Sequence, residues 1–133
     1  DGVHVDPVAI QLLYRCKGRE GIALVSDGLA ATGMGPGEYG VGGLRVEARD
    51  GACYYGDRLA GSILTLDRAI RNMRDFLHLP LEEVIPMATL TPARMMGIDD
   101  RKGRLQAGAD ADLVLMDADL NVRQVYARGL PVE

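Results

Sequence analysis

The chain has 133 residues, about one domain, with 47% hydrophobic and 26% charged residues and a net charge of −4. Acidic and basic residues are interspersed without a basic block or stripe, which speaks against nucleic acid or an anionic membrane as a partner. No apolar run approaches membrane-spanning length, and the two cysteines, Cys16 and Cys53, form neither a metal-type pair nor a disulfide framework, so a cytoplasmic location is expected.

Gly2 to Val5 reads as the end of a buried strand, already under way at the first residue and without an initiator Met. This leads to the expectation of a piece of a longer polypeptide. Asp6 and Pro7 supply a helix cap and a first-turn proline. Ile10, Leu13, Tyr14 and Lys17 then recur at helical spacing, and Gly18 ends the helix.

Gly21-Ile22-Ala23-Leu24-Val25-Ser26-Asp27 is the central stretch. A run apolar on both faces predicts a strand buried on both sides, as in parallel sheets. Strand, helix, strand at these lengths predicts a βαβ unit. Both strands end in polar residues, His4 and Asp27, which would then share one sheet edge, where α/β proteins gather their chemistry. Asp27 at a carboxyl end suits a catalytic acid/base; it equally suits a turn cap. His4 suits binding of a substrate oxygen or developing negative charge, or a structural hydrogen bond.

The glycine-rich segment 28–37 predicts a mobile loop. It matches neither phosphate-binding fingerprint. Leu44, Val46 and Ala48 alternate with charged residues, Asp50-Gly51 is a hairpin signal, and Ala52 to Tyr55 is the return, giving a two- or three-stranded excursion near 38–58. Leu59-Ala60-Gly61-Ser62 leads to a helix whose apolar face is Leu66, Ala69, Ile70, Met73, Phe76 and Leu77. His78 stands at its negative pole. Pro80 opens a second helix that buries Val84, Ile85, Ala88 and Leu90, and Thr91-Pro92 a third, ended by Gly97. Met87, Met95 and Met96 are expected to fill core gaps. In the tail, Leu113 to Met116 and the alternating run 121–129 predict two or three antiparallel strands that need partners.

No His-x-His, His-Glu-x-x-His, cysteine cluster or nucleophile elbow is present. The visible chemistry is half a site, one acid/base and one binder.

Five pieces carry a resemblance. They are Asp1-Gly2-Val3-His4-Val5-Asp6, Leu24-Val25-Ser26-Asp27-Gly28, Leu59-Ala60-Gly61-Ser62 through Leu66, Met87-Ala88-Thr89-Leu90-Thr91-Pro92-Ala93-Arg94, and 103–117. Together they resemble the C-terminal part of the N-acetylglucosamine-6-phosphate deacetylase family, within the amidohydrolase superfamily. The last two pieces are shared across the superfamily. The Asp-Gly-Val-His and Leu-Ala-Gly-Ser pieces are closer to the deacetylases themselves.

The resemblance implies an α/β fold: residues 1–100 as the C-terminal part of a metal-dependent-hydrolase (β/α)8 barrel, and 101–133 as strands of a small β-sandwich. It implies a divalent metal ion, zinc or iron, whose glutamate and histidine ligands lie outside this chain, with no metal ligand within it. Asp27 matches the family's catalytic aspartate. His4 matches its substrate-binding histidine, with Asp1, Gly2 and Val3 beside it, and Leu59, Ala60 and Gly61 match a substrate-contacting segment. The implied substrate is an amino-sugar phosphate, the implied reaction amide hydrolysis, and the implied assembly a homodimer. Without a metal half, the chain alone is expected to be inactive. Two alternatives stay open: another amidohydrolase, or a non-catalytic fragment that keeps the sugar-contacting edge.

Overall fold

A computed structural model describes residues 1–132. Helix α1 spans Pro7–Lys17; the Asp6 carboxylate accepts the Val8 N–H at 2.8 Å, and Gly18 caps the other end. A short 3-10 turn, Arg19–Gly21, follows. The next regular structure is an antiparallel meander of four strands, β1 (Gly37–Val41), β2 (Leu44–Arg49), β3 (Ala52–Tyr55) and β4 (Arg58–Ser62). The excursion thus has four strands where two or three are predicted, and Leu59 to Ser62, predicted only to precede a helix, is the fourth. Asp50 and Gly51 both take positive φ, 50° and 85°, as a two-residue hairpin turn requires. Gly42 and Gly43 do the same between β1 and β2.

Three helices follow: α2 (Leu66–Leu77), α3 (Leu81–Ala88) and α4 (Leu90–Met95). α2 buries Ala69, Ile70 and Met73, as its spacing predicts. α3 stops two residues after Pro86, which cannot donate a helical hydrogen bond. α4 starts at Leu90, before the Thr91-Pro92 pair predicted to open it. Its cap position is Thr89, because the Thr91 hydroxyl is used elsewhere, donating to the Arg19 carbonyl at 3.0 Å. The tail forms a separate antiparallel sheet, β5 (Leu113–Met116), β6 (Val122–Ala127) and β7 (Leu130–Val132), in that order. Val114, Leu115 and Leu130 on it are all exposed.

One core gathers Ile22, Ile70, Met73, Val84, Met87 and Leu120. A smaller one lies on the meander around Ala31, Val46, Ala48 and Cys53. Within the 28–37 segment, Thr32 donates to the Leu29 carbonyl and Met34 to that of Ala31, at 2.9 and 3.0 Å, around the buried Ala31.

Three expectations are corrected. Gly2 to Val5 is a tight bend, not a strand, because the Asp1 carboxylate takes the N–H groups of Val3 and His4 and turns the chain. Ile22, at φ −127° and ψ 125°, opens an extended run that joins no ladder before Gly28 and ends at Asp27 with φ 46°, so no βαβ unit forms among the described residues. A strand buried on two faces needs backbone partners on both edges. Here Leu24 instead donates to the Met87 carbonyl at 2.9 Å, and Val25 is 71% exposed. Finally, Met87 fills the core, but Met95 and Met96, the last residue of α4 and its cap, are 71% and 74% exposed.

Candidate active site

The end of the extended run meets the end of β4. Gly28 bridges Ser62 in parallel fashion; the Ser62 N–H donates to the Asp27 carbonyl at 3.3 Å, and the Leu29 N–H donates to the Ser62 carbonyl at 2.9 Å. Asp27 is held at φ 46°, a region that costs most side chains about 1–2 kcal/mol and that Asp tolerates better. A non-glycine residue held there by its surroundings is a signature found at functional sites.

A cavity of about 310 Å³ opens beside this junction. Its polar lining is Asp1, His4, Ser26, Asp27, Ser62 and Asn72, and its apolar wall includes Leu24, Leu64, Met73 and Phe76. The bend at the first residues, the end of the extended run, the end of β4 and one face of α2 therefore converge on a single space. A few polar groups set in an apolar wall is the usual make-up of a small-molecule site.

Within it, His4 Nδ1 lies 2.5 Å from Asp1 Oδ2. Asp1 Oδ1 accepts the N–H of Val3 at 3.0 Å and of His4 at 3.1 Å. Asn72 Nδ2 donates to the Asp1 carbonyl at 3.4 Å, tying the bend to α2. The Ser62 hydroxyl accepts the Leu64 N–H at 2.8 Å.

Of the residues singled out in the sequence, Asp1, His4 and Asp27 line this cavity. Gly2, Val3, Leu59, Ala60 and Gly61 do not. Gly2 instead packs beneath the ring of Phe76, and Gly61 beneath Leu29. Ser26, Ser62 and Asn72 also line the cavity, and they are not singled out in the sequence as site candidates. Ser62 is the last member of the Leu-Ala-Gly-Ser piece, and Asn72 is a polar residue at helical spacing within the apolar face of α2; both are signals available in the sequence. Among the described residues, no three of His, Cys, Asp and Glu are grouped closely enough to hold a metal ion. Among the described residues, no helix is long and apolar enough to cross a membrane. A second groove of about 560 Å³, between α3, α4 and β5, contains none of the candidate residues.

The sequence model of the amidohydrolase family matches residues 13–132. The N-acetylglucosamine-6-phosphate deacetylase of Lysinibacillus sphaericus is 40% identical over 130 residues, which are 97% of this chain and 33% of that protein. The N-acetylgalactosamine-6-phosphate deacetylase of Escherichia coli O157:H7 is 39% identical, again over 97% of this chain and 34% of the relative. The crystal structure of N-acetylglucosamine-6-phosphate deacetylase from Pasteurella multocida superposes with a TM-score of 0.92 at 31% identity, covering 99% of this chain and 35% of that one. The chain spans about a third of the length of these relatives.

Proposed function

The chain belongs to the amidohydrolase family, and from that premise we propose that it is part of a longer enzyme that hydrolyses the acetamide of N-acetylglucosamine 6-phosphate to glucosamine 6-phosphate and acetate. The observation that carries the proposal is the placing of Asp27 and His4 on one cavity, in a chain 40% identical to such a deacetylase. The relative named for N-acetylgalactosamine 6-phosphate supports a second reading for the sugar alone, with the same chemistry on the epimer.

In this reading the Asp27 carboxylate accepts a proton from the attacking water as the new C–O bond forms at the acetyl carbon. It then delivers that proton to the nitrogen as the C–N bond breaks, so the amine leaves neutral together with acetic acid, which ionises to acetate by losing its remaining proton to solvent. His4 holds the sugar or its acetamide against the cavity wall, while Leu64, Met73 and Phe76 exclude bulk water. Asp27 and His4 do not by themselves make a metal site. The proposed divalent ion, zinc or iron, therefore has its ligands outside these residues, and amidohydrolase membership supports it. Residues 1–100 are proposed as part of a (β/α)8 barrel and 101–133 as strands of a β-sandwich. Gly2, Val3, Leu59, Ala60 and Gly61 are proposed to shape the substrate-contacting edge. A cytoplasmic homodimer completes the proposal, and the exposed apolar residues of the β5–β7 sheet support a covering surface.

The test is amine release from N-acetylglucosamine 6-phosphate and its galacto epimer in an enzyme of the relatives' length carrying this segment. Asp27→Asn is expected to keep the fold and lose turnover by about 10²–10⁴-fold, the usual worth of a positioned acid/base. Near-normal rates would return Asp27 to the role of turn cap. The 133-residue chain alone, with divalent metal added, is expected to turn over little or nothing. Rates matching the full-length relatives would overturn the proposal of a longer enzyme.

A further inference from the structure

We propose that Asp1 is a positioning residue that places the ring proton of His4 on Nδ1 and leaves Nε2 bare, so that His4 meets its ligand as a hydrogen-bond acceptor. The argument starts from the carboxylate. Both of its oxygens are engaged within its own bend: Oδ1 accepts two backbone N–H groups, and Oδ2 faces His4 Nδ1 at 2.5 Å. Its side chain is only 10% exposed, against 31% for His4. An ionised carboxylate can only accept, so the ring nitrogen that faces it carries the hydrogen. In the neutral imidazole the other nitrogen then has a lone pair and no proton.

Two consequences follow for the cavity. Asp1 has no free oxygen with which to bind a ligand, so its contribution is made through His4. In the neutral ring, the ligand group paired with His4 is a donor, a hydroxyl or an amide N–H. A carbonyl oxygen or an oxyanion does not suit a bare nitrogen. This inference rests on the proposed function only for the source of that donor, an amino sugar, which offers both kinds.

The test reads the tautomer directly and needs neither substrate nor turnover. The chain contains two histidines, His4 and His78, so ring nitrogen-15 signals can be assigned with His4→Gln. At pH 8, His4 is expected to show a directly bonded proton on Nδ1 and a bare, unprotonated Nε2. Asp1→Asn leaves one accepting oxygen for three donors, and is expected to move the ring proton toward Nε2. Detection of the proton on Nε2 in the parent chain would overturn the proposal, and so would unchanged ring signals in a folded Asp1→Asn. Because the parent spectrum alone can sink it, a variant that fails to fold does not shelter the idea. Loss of deacetylation in some other experiment would leave this result standing, and the reverse also holds.

Discussion

The backbone N–H of Ser62 donates to the carbonyl of Asp27 at 3.3 Å, joining the candidate acid to the last residue of the four-stranded meander. The Ser62 carbonyl takes the Leu29 N–H in return, so the chain on either side of Gly28 is gripped by one residue. A carboxylate that must meet both a water and a leaving nitrogen benefits from such a fixed base.

Gly61 is the sensitive point beneath that grip. A Cβ there would lie 2.7 Å from Cδ1 and Cγ of Leu29, and its φ of 149° disfavours any side chain. Gly61→Ala must therefore push Leu29, whose N–H is half of the clamp. The expected cost is about 1–3 kcal/mol in urea unfolding, as for overpacked sites, with turnover falling in an active full-length enzyme. An unchanged midpoint would show that Leu29 yields freely.

Met87 and Met96 separate a core methionine from an ornamental one. Met87 has 0% exposure, and its carbonyl also receives the Leu24 N–H. Met87→Ala is expected to cost about 2–5 kcal/mol, because the cavity it leaves is walled by Val84, Ile70 and Met73. Met96→Ala should stay within about 0.5 kcal/mol. Equal effects in paired denaturation curves would contradict the packing described.

Acid should weaken the fold at four carboxylates. Burial alone would raise Asp67, but hydrogen bonds from the Thr65 side chain and the Arg68 N–H, with the Arg71 guanidinium, hold it below its ordinary value. Asp110 and Asp112 are held down chiefly by the Lys102 ammonium, and Asp117 chiefly by the backbone and side-chain N–H groups of Asn121. A carboxylate lowered in the folded state contributes stability that is complete above its unfolded value, about 3.9, and is lost as pH falls through the folded value. The unfolding midpoint should therefore be level from about pH 7 to 5 and drop below about 4. Asp117→Asn should shallow that drop, and a flat profile to pH 2.5 would refute the assignment.

The two thiols should react at different rates. Cys16 lies exposed on α1, whereas Cys53 is fully buried in the meander and burial pushes its thiol up. A thiolate is the reactive form, so an aromatic disulfide reagent should label one thiol quickly and the second only on unfolding. Two fast equivalents in the native chain would show that the meander opens readily.

Within the sequence alone, the pieces whose bonds close locally were legible. Asp6-Pro7 and Gly18 bound α1, the apolar stripe of α2 marks its buried face, Asp50-Gly51 makes the hairpin, and the tail pattern makes an antiparallel sheet. Each of these depends on partners a few residues away, so a short window holds the information. The family was legible for a related reason, because its motifs are contiguous. Tertiary structure alone decided that Gly2 to Val5 bends and that Ile22 to Asp27 joins no ladder, since a strand exists only where a distant backbone offers a run of N–H and C=O groups. The sequence already led to His4 and Asp27 at one edge, with Asp1 beside His4; tertiary structure alone added Ser62 and Asn72 to their cavity, because that meeting depends on how α2 and β4 pack against the run before Gly28.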